Sequence, residues 1–250
     1  MTQSQTFRNG ITINIDENDK SEYGKVSDLD HINPSLEFYL VDNASDFTDA
    51  CIVGAGCGVA TGILESAGVS TTNIEPNADR FAILDQNFSD ETNIEKACSD
   101  ANGTGTMYFF DDNKSGGILD MIFGDSSQET DIVTVDSLIL ANCDLLVVSA
   151  NGKEVDVLKG AETLIGDNSG IKVVIEWKPD QISNINTAIQ YLRDNFTSIK
   201  IIHWETGDTI SFNTVDVDEN EENLRAVMTA TLLLEWKVSD GEKVQQIFRN

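Results

Sequence analysis

Asp49-Ala-Cys-Ile-Val-Gly-Ala-Gly-Cys-Gly58 is the stretch that decides the fold. Ala50 to Val53 is short and apolar without alternation, the pattern of a strand covered on both faces. Glycines follow at 54, 56 and 58, where backbone without Cβ bends tightly and lets a ligand approach. Val59 to Ala67 then reads as an apolar helix whose first N–H groups point back at the turn. Strand, glycine turn and helix together open a nucleotide-binding α/β unit. On these residues alone a plain tight turn reads the same way.

Downstream, the alternation continues. Ser70 to Glu75 reads as a strand and Asn77 to Asn87 as a helix, with Phe81, Leu84 and Phe88 on one face. Further strands are expected near Ile94 to Ala97, over Thr104 to Phe110 and over Ile132 to Val135. Cys143 to Val148 is a buried parallel strand, followed by a helix from Lys153 to Leu164. Ile171 to Trp177, Ile185 to Asn195, Ser198 to His203 and Val227 to Glu235 complete the strand–helix–strand–strand ending. The pattern implies an α/β fold of Rossmann-like type. Its sheet is expected to be mostly parallel and seven-stranded, helix-covered on both faces, with an antiparallel C-terminal strand. Upstream, Gly10 to Asp16 alternates like an edge strand or hairpin arm, and Asn33-Pro34 opens a helix to about Asp42. Residues 1–44 are therefore expected to be an extension packed on a core domain of 45–250. The acidic stretch Asp216 to Glu222 reads as a surface loop or helix start.

Composition narrows the function. Acidic residues number 43 against 16 basic, a formal charge of −27. Nucleic-acid affinity rests on Lys and Arg displacing counterions, so neither nucleic acid nor an anionic membrane is expected as partner. The acidity reads as a solvated surface, as in a protein adapted to high salt. No apolar run approaches the roughly 20 residues of a membrane span, and the N-terminus lacks a secretory pattern, so a cytoplasmic location is expected. Cys51, Cys57, Cys98 and Cys143 show no metal-type spacing, and His31 and His203 are the only histidines, so no metal site is expected.

About twenty residues after the glycine turn, the second strand ends in Ile74-Glu75-Pro76-Asn77. An acid there can accept hydrogen bonds from both ribose hydroxyls of an adenosine cofactor, or it can simply cap the next helix. With this element the chain resembles the FkbM-type S-adenosylmethionine (SAM)-dependent methyltransferases over roughly residues 45–236. The resemblance is carried by IVGAGCG, IEPNADRFAIL, ACSDANGT, TVDSL, VLKGAETLI and VVIEW, and by the late YLRDNF, IIHWETGD and LLLEW segments. It implies a SAM site. Gly54, Ala55, Gly56 and Gly58 would line the methionine portion and Glu75 would hold the ribose. Asn77 would lie nearby, and Ser99 and Asp100 near the adenine. It also implies methyl transfer to an oxygen of a small-molecule acceptor, such as a sugar or natural-product hydroxyl.

The chain departs from the family at three positions. An acid usually precedes the first glycine by two residues, where Ile52 stands here. An Asp-x-Glu-Gly motif usually follows the fourth main strand, where Ser149-Ala-Asn151-Gly152 stands here. Asn151 can hydrogen-bond but is no general base. Lys153 and Glu154 read as the start of a solvated helix. Glu176 and His203 are the remaining candidates for catalytic work, each with a structural role equally open. Beside an active O-methyltransferase, the sequence allows a methyltransferase-fold binding protein that has lost catalysis. An NAD-dependent oxidoreductase ranks last, for want of the third glycine of the dinucleotide fingerprint.

Overall fold

The computed structural model describes residues 2–6, 10–16, 34–110, 115–119, 126–168, 170–179, 181–202, 209–212 and 230–236. His203 and the acidic stretch Asp216 to Glu222 lie outside them. The chain opens with an antiparallel hairpin, β1 (Thr2–Thr6) and β2 (Thr12–Asp16), and continues into α1 (Pro34–Asn43). The apolar run and the glycine turn become β3 (Asp49–Val53) and α2 (Val59–Ser66), followed by β4 (Ser70–Ile74), α3 (Ala78–Asn87) and β5 (Thr92–Ile94). Asn77 caps α3, its Oδ1 accepting from the N–H groups of Asp79 at 3.0 Å and Arg80 at 3.2 Å.

Next come β6 (Ala97–Cys98), β7 (Gly103–Phe110), β8 (Ser115–Leu119) and β9 (Ser126–Val133). After them run β10 (Leu145–Val148), α4 (Glu154–Lys159), α5 (Glu162–Asp167), β11 (Lys172–Trp177) and α6 (Ile185–Asn195). The chain's last described strands are β12 (Phe196–Ile202), β13 (Thr209–Phe212) and β14 (Ala230–Trp236).

The main sheet has the order β13-β12-β14-β11-β10-β3-β4-β5. Strands β5, β4, β3, β10 and β11 pair in parallel, while β14 runs against both of its neighbours. This is a Rossmann-like arrangement of seven strands, with β13 added antiparallel at the edge. Alternate strand residues feed two cores. Ala50, Ile52, Leu145 and Val147 pack with α1, α2, α3 and the Ile13 and Ile15 side chains of β2. Cys51, Val53, Leu146 and Val148 pack with α4, α5 and α6. Among the described residues no helix is long and apolar enough to cross a membrane.

Three expectations change. The strand expected near Ile94 to Ala97 is instead the end of β5, in the main sheet, and the start of β6, outside it. Thr104 to Phe110 and Ile132 to Val135 do not join the main sheet; they fall in or beside β7 and β9 of a second sheet, ordered β6-β9-β7-β8. Local alternation cannot say which sheet a strand joins, since partner choice depends on residues far away in sequence. The single helix expected from Lys153 to Leu164 is two. Asp136, from the TVDSL segment, accepts the N–H of Thr163 at 3.0 Å and of Leu164 at 2.9 Å. A carboxylate on first-turn amides starts a new helix, because those donors otherwise have no intrahelical partner.

Candidate functional site

Register places the site. Ile175, Val148, Val53 and Ile74 are neighbours along the sheet, so the residues that follow them, Glu176, Ser149, Gly54 and Glu75, form one row at its carboxyl edge. Chain crossovers diverge between β3 and β10, and ligands of open α/β sheets bind at that divergence.

Glu75 stands at one end of the row with 4% exposure. One carboxylate oxygen accepts the N–H of Gly56 and the other the N–H of Asn77, both at 2.8 Å. The turn is fastened to β4 as well, Gly54 and Ala55 donating to the Ile74 carbonyl at 2.8 and 3.1 Å. Gly56 thus orients the carboxylate through its amide, and its φ of +59° suits a glycine.

The other two glycines answer to packing. A Cβ on Gly54 would lie 1.9 Å from the Ser149 carbonyl oxygen, so its absence lets the ends of β3 and β10 meet. At Gly58 a Cβ would stand 2.4 Å from the Phe88 ring, so this glycine lets α2 and α3 close together. Gly54 lines the cleft, whereas Ala55 and Gly58 are buried behind it.

Around Ser149 a second cluster forms. The Ser149 hydroxyl donates to Glu176 Oε2, and Lys178 Nζ lies 3.0 Å from that same oxygen. Lys178 also donates to Asn151 Oδ1 at 3.0 Å, so Asn151 and Glu176 are brought together through a lysine the sequence reading missed. Glu154 corrects an expectation. Instead of beginning a solvated helix it is 0% exposed, and it accepts the N–H groups of Ala150 at 3.2 Å and Gly152 at 3.1 Å. Burial pushes its carboxyl up to about 7; the Gly152 amide pulls it down, and nearby Glu176 adds to the rise. The loop needs this anchor because Asn151 sits at φ +48° and Gly152 at +91°, and no sequence pattern distinguishes such an acid from an exposed first-turn glutamate.

Between these groups lies a cleft open to solvent. Val53, Pro76, Ala97, Cys98 and Met107 give it an apolar wall, and Asn77, Ser149 and Asn151 give it polar ones. The second sheet supplies part of the wall and is fastened to the Glu75 loop by Gln128. That side chain donates to the Pro76 carbonyl at 2.9 Å and accepts from the Ala78 N–H at 3.3 Å. Cys98 is an apolar thiol there, burial pushing it up to about 12. Ser99 and Asp100 lie on the turn after β6, with Ser99 Oγ 3.3 Å from Asp100 Oδ1, and they do not line the cleft. No group of three or more His, Cys, Asp or Glu among the described residues could hold a metal ion.

No protein-family model and no curated protein matches the chain. Solved structures do resemble it. A methyltransferase FkbM from Methylobacillus flagellatus aligns over 76% of this chain at 17% identity, with a TM-score of 0.46. The alignment covers 44% of that protein, so this chain spans less than half its length. A TehB-like SAM-dependent methyltransferase from Corynebacterium glutamicum aligns over 81% of this chain and 88% of its own, at 11% identity and TM-score 0.46. A 16S rRNA N2 G1207 methyltransferase from T. thermophilus aligns over 95% of this chain and 50% of its own, again at 11% and 0.46.

Proposed function

We propose that the chain is a SAM-dependent methyltransferase acting on an oxygen of a small hydroxylated acceptor. The observation that carries this is Glu75, a buried carboxylate fixed by the amides of Gly56 and Asn77 at the rim of a cleft beginning at Gly54. Its chemistry fits an adenosine cofactor. A carboxylate offers about four lone-pair positions for donors such as vicinal ribose hydroxyls. The apolar wall suits a base.

Glu75 would hold the ribose, with Gly54, Gly56 and Asn77 beside it. Ala55 and Gly58 would shape the turn from behind, and Ser99 and Asp100 would stand at the outer end. When bound, the cofactor would supply a sulfonium-activated methyl for the acceptor oxygen, the carbon–sulfur electron pair remaining on sulfur.

The chain's own work is then alignment and proton removal. Ser149 lines the cleft and donates to Glu176. An acceptor hydroxyl bound at Ser149 Oγ hands its proton to that oxygen as the serine proton moves to Glu176 Oε2. Lys178 and Asn151 hold Glu176 and the loop in register for this transfer.

A second reading, a binding protein without catalysis, is favoured by one observation: among the described residues Glu75 is the only carboxylate lining the cleft, where an active site would ordinarily offer a second. Incubation with methyl-labelled SAM and a panel of sugar and hydroxy-acid acceptors separates the two. Label appearing in a base-stable ether supports the transferase. SAM binding with no label on any hydroxyl supports the binding protein.

A further inference from the structure

The placement of the chain's few cations identifies the acceptor class, an inference that rests on the transferase reading. Acids outnumber bases 43 to 16 in the sequence, yet among the described residues the cleft is lined by Arg80, Lys96 and Lys153 against Glu75. Other grooves show the opposite sign. At the amino-terminal edge of the main sheet a groove is lined by Asp49, Asp90 and Glu91, and on the second sheet another by Glu129 and Asp131, with no Lys or Arg among the described residues of either.

Lys153 follows the Ser149–Asn151 loop and is 28% exposed, its Nζ 3.5 Å from Asp156 Oδ2. Lys96 is 39% exposed, 3.5 Å from Asp131 Oδ2. Both separations exceed the roughly 2.7–2.9 Å of a strong charge-assisted hydrogen bond, and half-exposed pairs of this kind are worth little. Each ammonium can therefore turn to an anion entering the cleft at small cost. Arg80, 7% exposed in the first turn of α3, lines the cleft as well.

A lining with more than one cation exceeds what SAM matches, since SAM brings a single carboxylate beside its cationic sulfonium and ammonium. The lining is matched to an anionic partner arriving beside the cofactor, and a cleft focuses such a field. We propose that the acceptor is a small hydroxylated anion, bearing a carboxylate or phosphate that Lys153 holds beside Ser149, with Lys96 lining the same cleft.

The test uses the full chain in low salt, with and without saturating S-adenosylhomocysteine. It is titrated calorimetrically with two matched pairs, 3-phosphoglycerate against glycerol and glucuronate against glucose. The expected result is that the anion of at least one pair binds about ten-fold or more tighter than its neutral mate. That preference should fall to about three-fold or less in Lys153→Gln, with circular dichroism unchanged. Equal or better binding of the neutral members overturns the proposal, as does binding of none of the four, or a preference that survives Lys153→Gln. Failure of the cofactor reading shows separately, as no heat with S-adenosylhomocysteine alone, and the anion preference is still read in its absence.

Discussion

The carboxylate of Glu154 accepts the N–H of Gly152 with both oxygens, each at 3.1 Å, from a position that solvent does not reach. This glutamate anchors the loop that gives the cleft Ser149, Ala150, Asn151 and Lys153. In the folded chain it holds its proton up to about pH 7, against a usual value of 4.5. Between those values the native state binds more protons than the unfolded one, so native stability declines as pH rises through the window. Glu154→Gln should remove that decline. Urea midpoints at pH 4.5, 6 and 7.5 should show the wild type losing up to roughly 3 kcal/mol relative to the variant. Parallel pH profiles for the two proteins would contradict the assignment.

Ser149→Ala removes the hydroxyl that joins the cleft to Glu176. General-base assistance is worth about 10²–10⁴-fold, so kcat should fall within that range while cofactor affinity stays within about two-fold. Asn151→Ala, which leaves that hydroxyl in place, should be milder. A kcat unchanged in Ser149→Ala refutes the proton route.

Gly58→Ala forces a side chain into left-handed backbone at φ +99° and against the Phe88 ring. Strain and overpacking together should cost about 2–4 kcal/mol in chemical denaturation. Adding Phe88→Leu should recover part of this, since only the clash is relieved. If the single variant unfolds at the wild-type midpoint, the close approach of α2 and α3 is wrong.

Gln128 ties the second sheet to the Pro76–Ala78 segment through both ends of its amide. Gln128→Ala should loosen the cleft wall, lowering cofactor affinity by about three- to ten-fold with global stability down by only about 1 kcal/mol. Equal cofactor affinity in the two proteins would mean that the second sheet does not shape the cleft.

The main sheet was legible because β3, β10 and β11 are apolar on both faces and each is followed by a helix. Glu75 was legible too, since an acid twenty residues past a glycine turn has a fixed place in such folds. What the sequence hides is pairing at a distance. Nothing local to Gly103–Phe110 or Ser126–Val133 says that these strands leave the main sheet. Lys178 is one polar residue after a strand and Gln128 one among many, and only folding shows each reaching across to Asn151 and Pro76. Glu154 misleads for the same reason, because burial of a carboxylate depends on loop amides that its own neighbours in sequence do not reveal.

The central claim is tested most directly by calorimetric titration of wild type and Glu75→Gln with S-adenosylhomocysteine. Low and high salt should both be used, given the charge of −27. Micromolar binding by the wild type, weakened about ten-fold or more in a variant that folds normally, is the predicted result. No binding by folded wild type at either salt, or equal affinity in the two proteins, would contradict the assignment of the cleft to an adenosyl cofactor.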